Sequence, residues 1–222
     1  VTVESRTIPL EETAVGTIEP VRRAEVASRL LARAIEVNVV AGQRVSEGEV
    51  LVRLEETDLK ARLSQAESAV AEAQAGVDQA KIEEGRLRAA FETKAVSPIE
   101  LDRAVNALKG AEAGLARAQQ SETEARTILD YATIRSPITG VVIDKRVNVG
   151  DTVVPGQVVV TVLDPAHMQL VASVRESLSS SLRIGQKVSV RVDVGAGAIT
   201  GTVSEIVPEA ESSSRTFQVK VV

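Results

Sequence analysis

Residues 41–54 read AGQRVSEGEVLVRL, and residues 149–162 read VGDTVVPGQVVVTV. Gly42 matches Gly150 and Gly48 matches Gly156, at the same offset that aligns Val26-Ala27-Ser28 with Ile134-Arg135-Ser136, so the chain carries an internal repeat. Each copy reads as a turn, a short link and a second turn before a strand. Upstream of the glycines, Ile35, Val37 and Val39 in one copy, and Val141, Ile143, Val147 and Val149 in the other, take alternate positions of a half-buried strand. One copy alone is too short to bury its apolar face. The two halves are therefore expected to fold against each other as one small β-sandwich, although a long segment separates them.

That segment, Thr57 to Asp130, exchanges β-branched residues for Ala, Glu, Gln and Arg, which favour helix. Its apolar residues recur every seven positions. In the first arm Leu59, Ala66, Ala73, Ala80 and Leu87 form one series, and Leu63, Val70, Val77 and Phe91 the other, with Glu84 intruding. In the second arm Leu101, Leu108, Leu115 and Leu129 form one series, interrupted by Glu122, and Ala104, Ala111, Ala118 and Ala125 the other. Seams this narrow predict a coiled coil, and the frequent Ala predicts close helix approach. Ser97-Pro98-Ile99-Glu100 supplies an N-cap Ser, an N1 Pro and an N3 Glu, so a second helix starts there and the arms form an antiparallel hairpin. With roughly 33 residues per arm at about 1.5 Å each, the hairpin should project on the order of 50 Å.

After Asp164-Pro165 alternation returns at Leu170 and Val174, at Val188, Val190 and Val192, at Val203, and at Phe217, Val219 and Val221. These predict short strands of a second β-domain. Glu176 to Arg183 read as one or two helical turns, and Val1 to Ile18 as an extended segment that adds a strand to this domain. No run of about 18 apolar residues and no charged, apolar leader is present. A chain beginning at Val1 suggests a removed signal or anchor segment or a trimmed start, and one ending at Val222 in mid-strand suggests an unfinished domain.

The 222 residues are 44% hydrophobic but only 1% aromatic, so the cores must be aliphatic. A net charge of -5 with scattered Lys and Arg offers no basic stripe for nucleic acid. The absence of Cys excludes disulfides, thiolate catalysis and Cys-based metal sites. A lone His and the lack of a Gly-rich phosphate loop after a strand argue against an enzyme, and Glu11-Glu12, Glu55-Glu56 and Glu83-Glu84 read as solvated charges. His167-Met168 cannot complete a soft-metal site without further N or S ligands. A lipoyl or biotin carrier would need a modifiable Lys at a tight turn joining the two halves; Lys60, after Asp58, lies instead one turn inside the first helix.

The sequence resembles the HlyD-type membrane fusion proteins, specifically the adaptors of resistance-nodulation-division (RND) efflux pumps. The resemblance covers nearly the whole chain. It rests on the split lipoyl-like halves, the inserted hairpin, the junction Tyr131-Ala132-Thr133-Ile134-Arg135-Ser136-Pro137-Ile138-Thr139-Gly140, and the stretch with Glu176, Gly185-Gln186 and Ser214-Arg215-Thr216-Phe217. It implies an elongated, multi-domain α+β architecture: a coiled-coil α-hairpin inserted in a split lipoyl-like β-sandwich, or barrel-sandwich hybrid, followed by a β-barrel domain. The corresponding segments are 1–22, extended and pairing with the barrel; 23–56 and 131–164, the lipoyl-like halves; 57–130, the hairpin; and 165–222, the barrel.

The resemblance further implies a non-enzymatic periplasmic adaptor, without cofactor or metal. It would link an inner-membrane RND-type transporter to an outer-membrane channel for export of drugs or other small molecules. The partners would also include its own copies, in a ring commonly of six, and the inner membrane through a segment outside this sequence. An adaptor of an ABC-type exporter shares the architecture and stays open, as does a heavy-metal efflux adaptor. In the family, an Arg, a Leu and a Ser at the hairpin tip, with three and then six residues between them, dock on the channel. Arg86 and Ser97 match, whereas the Leu position is Ala90, followed by Phe91 as a substitute. The candidate contact is thus Arg86, Ala90, Phe91, Lys94, Val96 and Ser97. Read without the family, Ser97 is a helix cap, Phe91 the last seam residue and Arg86 an exposed helix charge.

Overall fold

A computed structural model describes residues 13–175, 182–192, 197–208 and 216–222. In chain order the described elements are β1 (Gly16–Pro20), β2 (Arg23–Ala27), β3 (Ala32–Val37), β4 (Arg44–Val45), β5 (Val50–Leu54), α1 (Thr57–Glu92), α2 (Pro98–Asp130), β6 (Thr133–Arg135), β7 (Gly140–Lys145), β8 (Thr152–Val153), β9 (Val158–Leu163), β10 (Met168–Arg175), β11 (Lys187–Val190), β12 (Ile199–Pro208) and β13 (Thr216–Val221). The chain divides into two compact units. One is Glu25–Val162, and the other combines Val1–Ala24 with Leu163–Val222.

Two four-stranded sheets, β2-β9-β7-β4 and β6-β5-β3-β8, form the sandwich, and each takes strands from both sides of the helical segment. The repeat explains this exchange. The Gly42 N–H donates to the Val142 carbonyl at 2.8 Å, and the equivalent Gly150 N–H donates to the Ala34 carbonyl at 2.8 Å. Likewise Gly48 donates to Ser136 at 2.8 Å and Gly156 to Ser28 at 2.9 Å. Every bond thus has a partner with the two copies interchanged, the signature of a local two-fold relation. Buried Ser28 and Ser136 mirror each other too, donating through Oγ to the carbonyls of Leu30 (2.8 Å) and Ile138 (2.6 Å). The four glycines adopt φ between 82° and 97°, a region in which a Cβ would clash with the backbone.

Leu51, Val52, Leu54, Val142, Val147, Val153, Val159, Val160 and Val162 are almost wholly buried in the sandwich core. Full burial of one such side chain contributes about 1.5–3 kcal/mol, which lets an aliphatic core hold without aromatic rings. Simple alternation fails at the same place in both copies, and again at Val149, which is exposed. Ile35 and Ile143, expected on the inner face, are exposed, and Ala34 and Val142 are fully buried instead. In β3 the cause is a register shift against β5 between Ala34 and Glu36, a bulge that moves the inward set by one residue.

Helices α1 and α2 pack along a seam that follows the heptads. From Leu59 to Leu87 every position in the two series of the first arm is buried or half-buried, Glu84 included, and so is every one in α2. The two acidic intruders are each held by an Arg one turn on: Glu84 pairs with Arg88, and Glu122 with Arg126 at 2.7 Å. Arg126 also reaches Glu67 on α1 at 3.6 Å. The register breaks at its last position, where Ala90 is half-buried and Phe91 is 39% exposed. The break coincides with the chain reversal, where the Ala95 N–H and the Thr93 hydroxyl both reach back to the Ala90 carbonyl.

The other unit contains an antiparallel sheet ordered β1-β10-β13-β12-β11. Its core gathers Val174, Val203, Val219 and Val221, with Leu170, Leu182, Val188, Val190 and Ile206 packed against them. Arg183-Ile184-Gly185-Gln186 repeats the turn of the sandwich: Gly185 has φ 87°, and its N–H donates to Val203 at 2.8 Å. Strand β11 stops at Val190, so Val192 falls beyond it. Residues 1–12 of the expected N-terminal extension, residues 176–181 of the expected helical turns, and Ser214 and Arg215 of the family stretch lie outside the described residues.

Candidate functional site

The hairpin tip is built from two complementary caps. At the end of α1, the Lys94 N–H donates to the Phe91 carbonyl and the Ala95 N–H to the Ala90 carbonyl, both at 2.9 Å. This crossed pair is a Schellman motif, which requires a left-handed residue at Lys94, and Lys94 has φ 59°. The Thr93 hydroxyl donates to Ala90 as well, at 2.9 Å. At the start of α2, Ser97 Oγ accepts the Glu100 N–H at 3.4 Å, while Glu100 Oε2 accepts the Ser97 N–H at 2.8 Å and the Ser97 hydroxyl at 2.9 Å. The result is a complete capping box with Pro98 in the first turn. These bonds, with the Ser97 N–H first and its hydroxyl second, hold the Glu100 carboxyl below its ordinary range.

The tip satisfies much of its own backbone, so what it presents at the surface is mainly side chains. Phe91 is 39% exposed, and Lys94 and Ser97 are exposed. Val96 and Ala90 are half-buried; Ala90 serves through its carbonyl in the cap. Arg86 lies one turn before Ala90, with 72% of its side chain exposed, and its nearest acid is Glu83 at 3.8 Å. Ala90, Phe91 and Lys94 thus share the cap that ends α1, Ser97 belongs to the cap that starts α2, and Arg86 stands apart on the shaft. Ile99 is an addition that the sequence reading does not single out. It is 64% exposed in the first turn of α2, and its position outside both heptad series was the available signal.

Elsewhere, His167 Nδ1 lies 2.8 Å from Asp164 Oδ2, and Asp164 also accepts the Ala166 N–H at 2.9 Å. The His167 bond first, and the Ala166 bond second, hold the Asp164 carboxyl below its ordinary range. Lys60 stands in the first turn of α1, paired with Glu56 at 2.6 Å. No helix among the described residues is long and apolar enough to cross a membrane.

A split sandwich carrying a long antiparallel hairpin, joined to a second β unit, defines a barrel-sandwich hybrid. Residues 22–164 match the family of CzcB-like barrel-sandwich hybrid domains, and residues 170–222 the CusB-like beta-barrel domain. Over 167 residues the chain is 32% identical to the multidrug resistance protein MdtE of Escherichia coli (strain K12), covering 73% of this chain and 43% of that protein. Over 165 residues it is 29% identical to the multidrug resistance protein MdtA of Proteus mirabilis (strain HI4320), covering 72% and 40%. It therefore spans less than half the length of these two relatives. Its fold is similar to that of the membrane fusion protein Spr0693 from Streptococcus pneumoniae R6, with a TM-score of 0.74 and 23% identity over 93% of this chain and 90% of that one. The chain belongs to the membrane fusion protein family of efflux pumps.

Proposed function

We propose that the chain is the periplasmic adaptor of a tripartite export pump, linking an inner-membrane RND-type transporter to an outer-membrane channel for the export of drugs or other small molecules. The barrel end holds the transporter, the sandwich packs beside its copies in a ring of six, and the hairpins form a tube that grips the channel. A segment outside this sequence anchors the assembly to the inner membrane, and energy coupling belongs to the transporter. The names of the two multidrug resistance relatives support drug export. The observation that carries the tip assignment is the exposure of Phe91 at a turn whose caps engage its own backbone.

The test is drug susceptibility in a strain lacking the native gene and carrying Arg86→Asp, together with cysteine crosslinking from positions 94 to 96. Arg86→Asp should abolish resistance while the melting temperature stays nearly unchanged, because an exposed helix pair contributes about 0–1 kcal/mol. Wild-type resistance at normal expression would remove Arg86 from the contact, and a lack of crosslinks from positions 94 to 96 to the channel would overturn the tip assignment. Crosslinks to the inner-membrane transporter would reverse the orientation.

A further inference from the structure

Among the described residues, six adopt positive φ, and five of them are glycine: Gly42, Gly48, Gly150, Gly156 and Gly185. Lys94, at the outermost turn of the hairpin, is the exception. A side chain with a Cβ is sterically disfavoured in this conformation, and Gly is the usual residue at this point of a Schellman motif. A chain that uses Gly at every other such turn among the described residues has a Lys here. Strained backbone of this kind points from the outlier towards a function for the side chain.

The surroundings specify what that side chain could do. Among the described residues, the Lys94 ammonium has no ion-pair or hydrogen-bond partner. Of the nearby acids, Glu100 is engaged by Ser97, and Glu92, exposed two residues before Lys94, makes no ion pair with it. Exposed Phe91 and Ile99 stand on the helix ends that meet at this turn. An ammonium beside apolar side chains is suited to a carboxylate at the edge of an apolar protein surface, where lost water strengthens the pair. One cation and two large apolar side chains are too few for an anionic membrane, which recruits clusters of several Lys or Arg.

We infer that Lys94 is a specificity-determining contact, receiving a carboxylate on the rim of the channel protein that the hairpin tip grips. This rests on the reading of the tip as the channel contact. One structural alternative has to be separated from it: a cation near a helix C-terminus also interacts favourably with the helix dipole. Lys94→Gly and Lys94→Asn distinguish the two, since both residues tolerate the left-handed conformation and neither carries charge.

In the deletion strain, with the full-length adaptor at wild-type abundance, both variants should weaken the tip contact about tenfold or more, the scale of a lost charge-assisted bond. Resistance should fall towards that of the deletion strain. Lys94→Arg should keep it, and Lys94→Gly should melt no lower than the wild type. Treating cells with a carbodiimide, which condenses an amine and a carboxylate into an amide, should join Lys94 Nζ to an Asp or Glu of the channel, identified by mass spectrometry. Cysteine crosslinking from Ala95 reports the tip contact independently of the charge. If position 95 crosslinks to the channel while Lys94→Gly and Lys94→Asn keep full resistance, the charge inference falls and the tip contact stands. If position 95 never meets the channel, the tip reading itself falls. Lys94-dependent sedimentation of the purified chain with phosphatidylglycerol vesicles would overturn the assignment to a protein carboxylate.

Discussion

A Cβ placed on Gly16 would lie 2.5 Å from the Val171 carbonyl oxygen and 2.9 Å from the Ala172 Cα, both backbone atoms of the partner strand β10. Neither can swing away as a side chain would, so Gly16→Ala must lift β1 off the sheet. The expected loss is about 1–3 kcal/mol, read as a lower urea midpoint for the purified chain. An unchanged midpoint would mean that β1 contributes little to its unit. The need for Gly here could not be read from neighbouring residues, since it depends on which strand lies alongside. The Ser97 cap was legible for the opposite reason: donor and acceptor sit three residues apart, and the motif is complete in the sequence. Lys94 and Ile99 fall between these cases. Their exposure follows from how the tip closes, which residue types alone do not specify.

At the level of elements, the hairpin was the most legible part, because a seven-residue period over five turns or more leaves little freedom in choosing the buried stripe. Register was lost at Phe91 beside the closing turn, at Ile35 beside the bulge of β3, and at Ile143 and Val149 in the second copy. The seam also makes opposite predictions for small residues on different faces. A methyl group added to the Cα of Gly76 or Gly110 would meet nothing within 4 Å, so replacing either by Ala should stabilise the hairpin by about 0.5–1 kcal/mol through helix propensity. Ala111 is half-buried in the seam, so Ala111→Leu should instead cost about 1–3 kcal/mol, whereas Arg117→Leu on the exposed side should cost little. Chemical denaturation of the four variants checks the set. Equal effects at Ala111 and Arg117 would show that the register is misplaced.

For the molecule as a whole, the reciprocal bonds between the two repeat copies imply that the sandwich holds itself together without the hairpin. The chain enters and leaves the helices at neighbouring points, since the Leu54 N–H donates to the Ala132 carbonyl at 2.8 Å. Removing Thr57 to Asp130 and joining Glu56 to Tyr131 by a short turn should therefore leave a β-domain that melts cooperatively. A broad, non-cooperative melt would mean that the helices complete the core rather than decorate it.

The exchange of strands between copies also bears on the order in which the protein can fold. During folding, β3 and β5 have no finished sheet to join until β6 and β8, which lie beyond the helical segment, reach them. The helices can form first, since their contacts are local and need no distant partner. Once α2 has zipped back along α1, Glu56 and Tyr131 are brought together, and the late half arrives beside the early one instead of searching through a long open loop. Folded in that order, the hairpin would serve as an internal chaperone for the β-domain from which it springs.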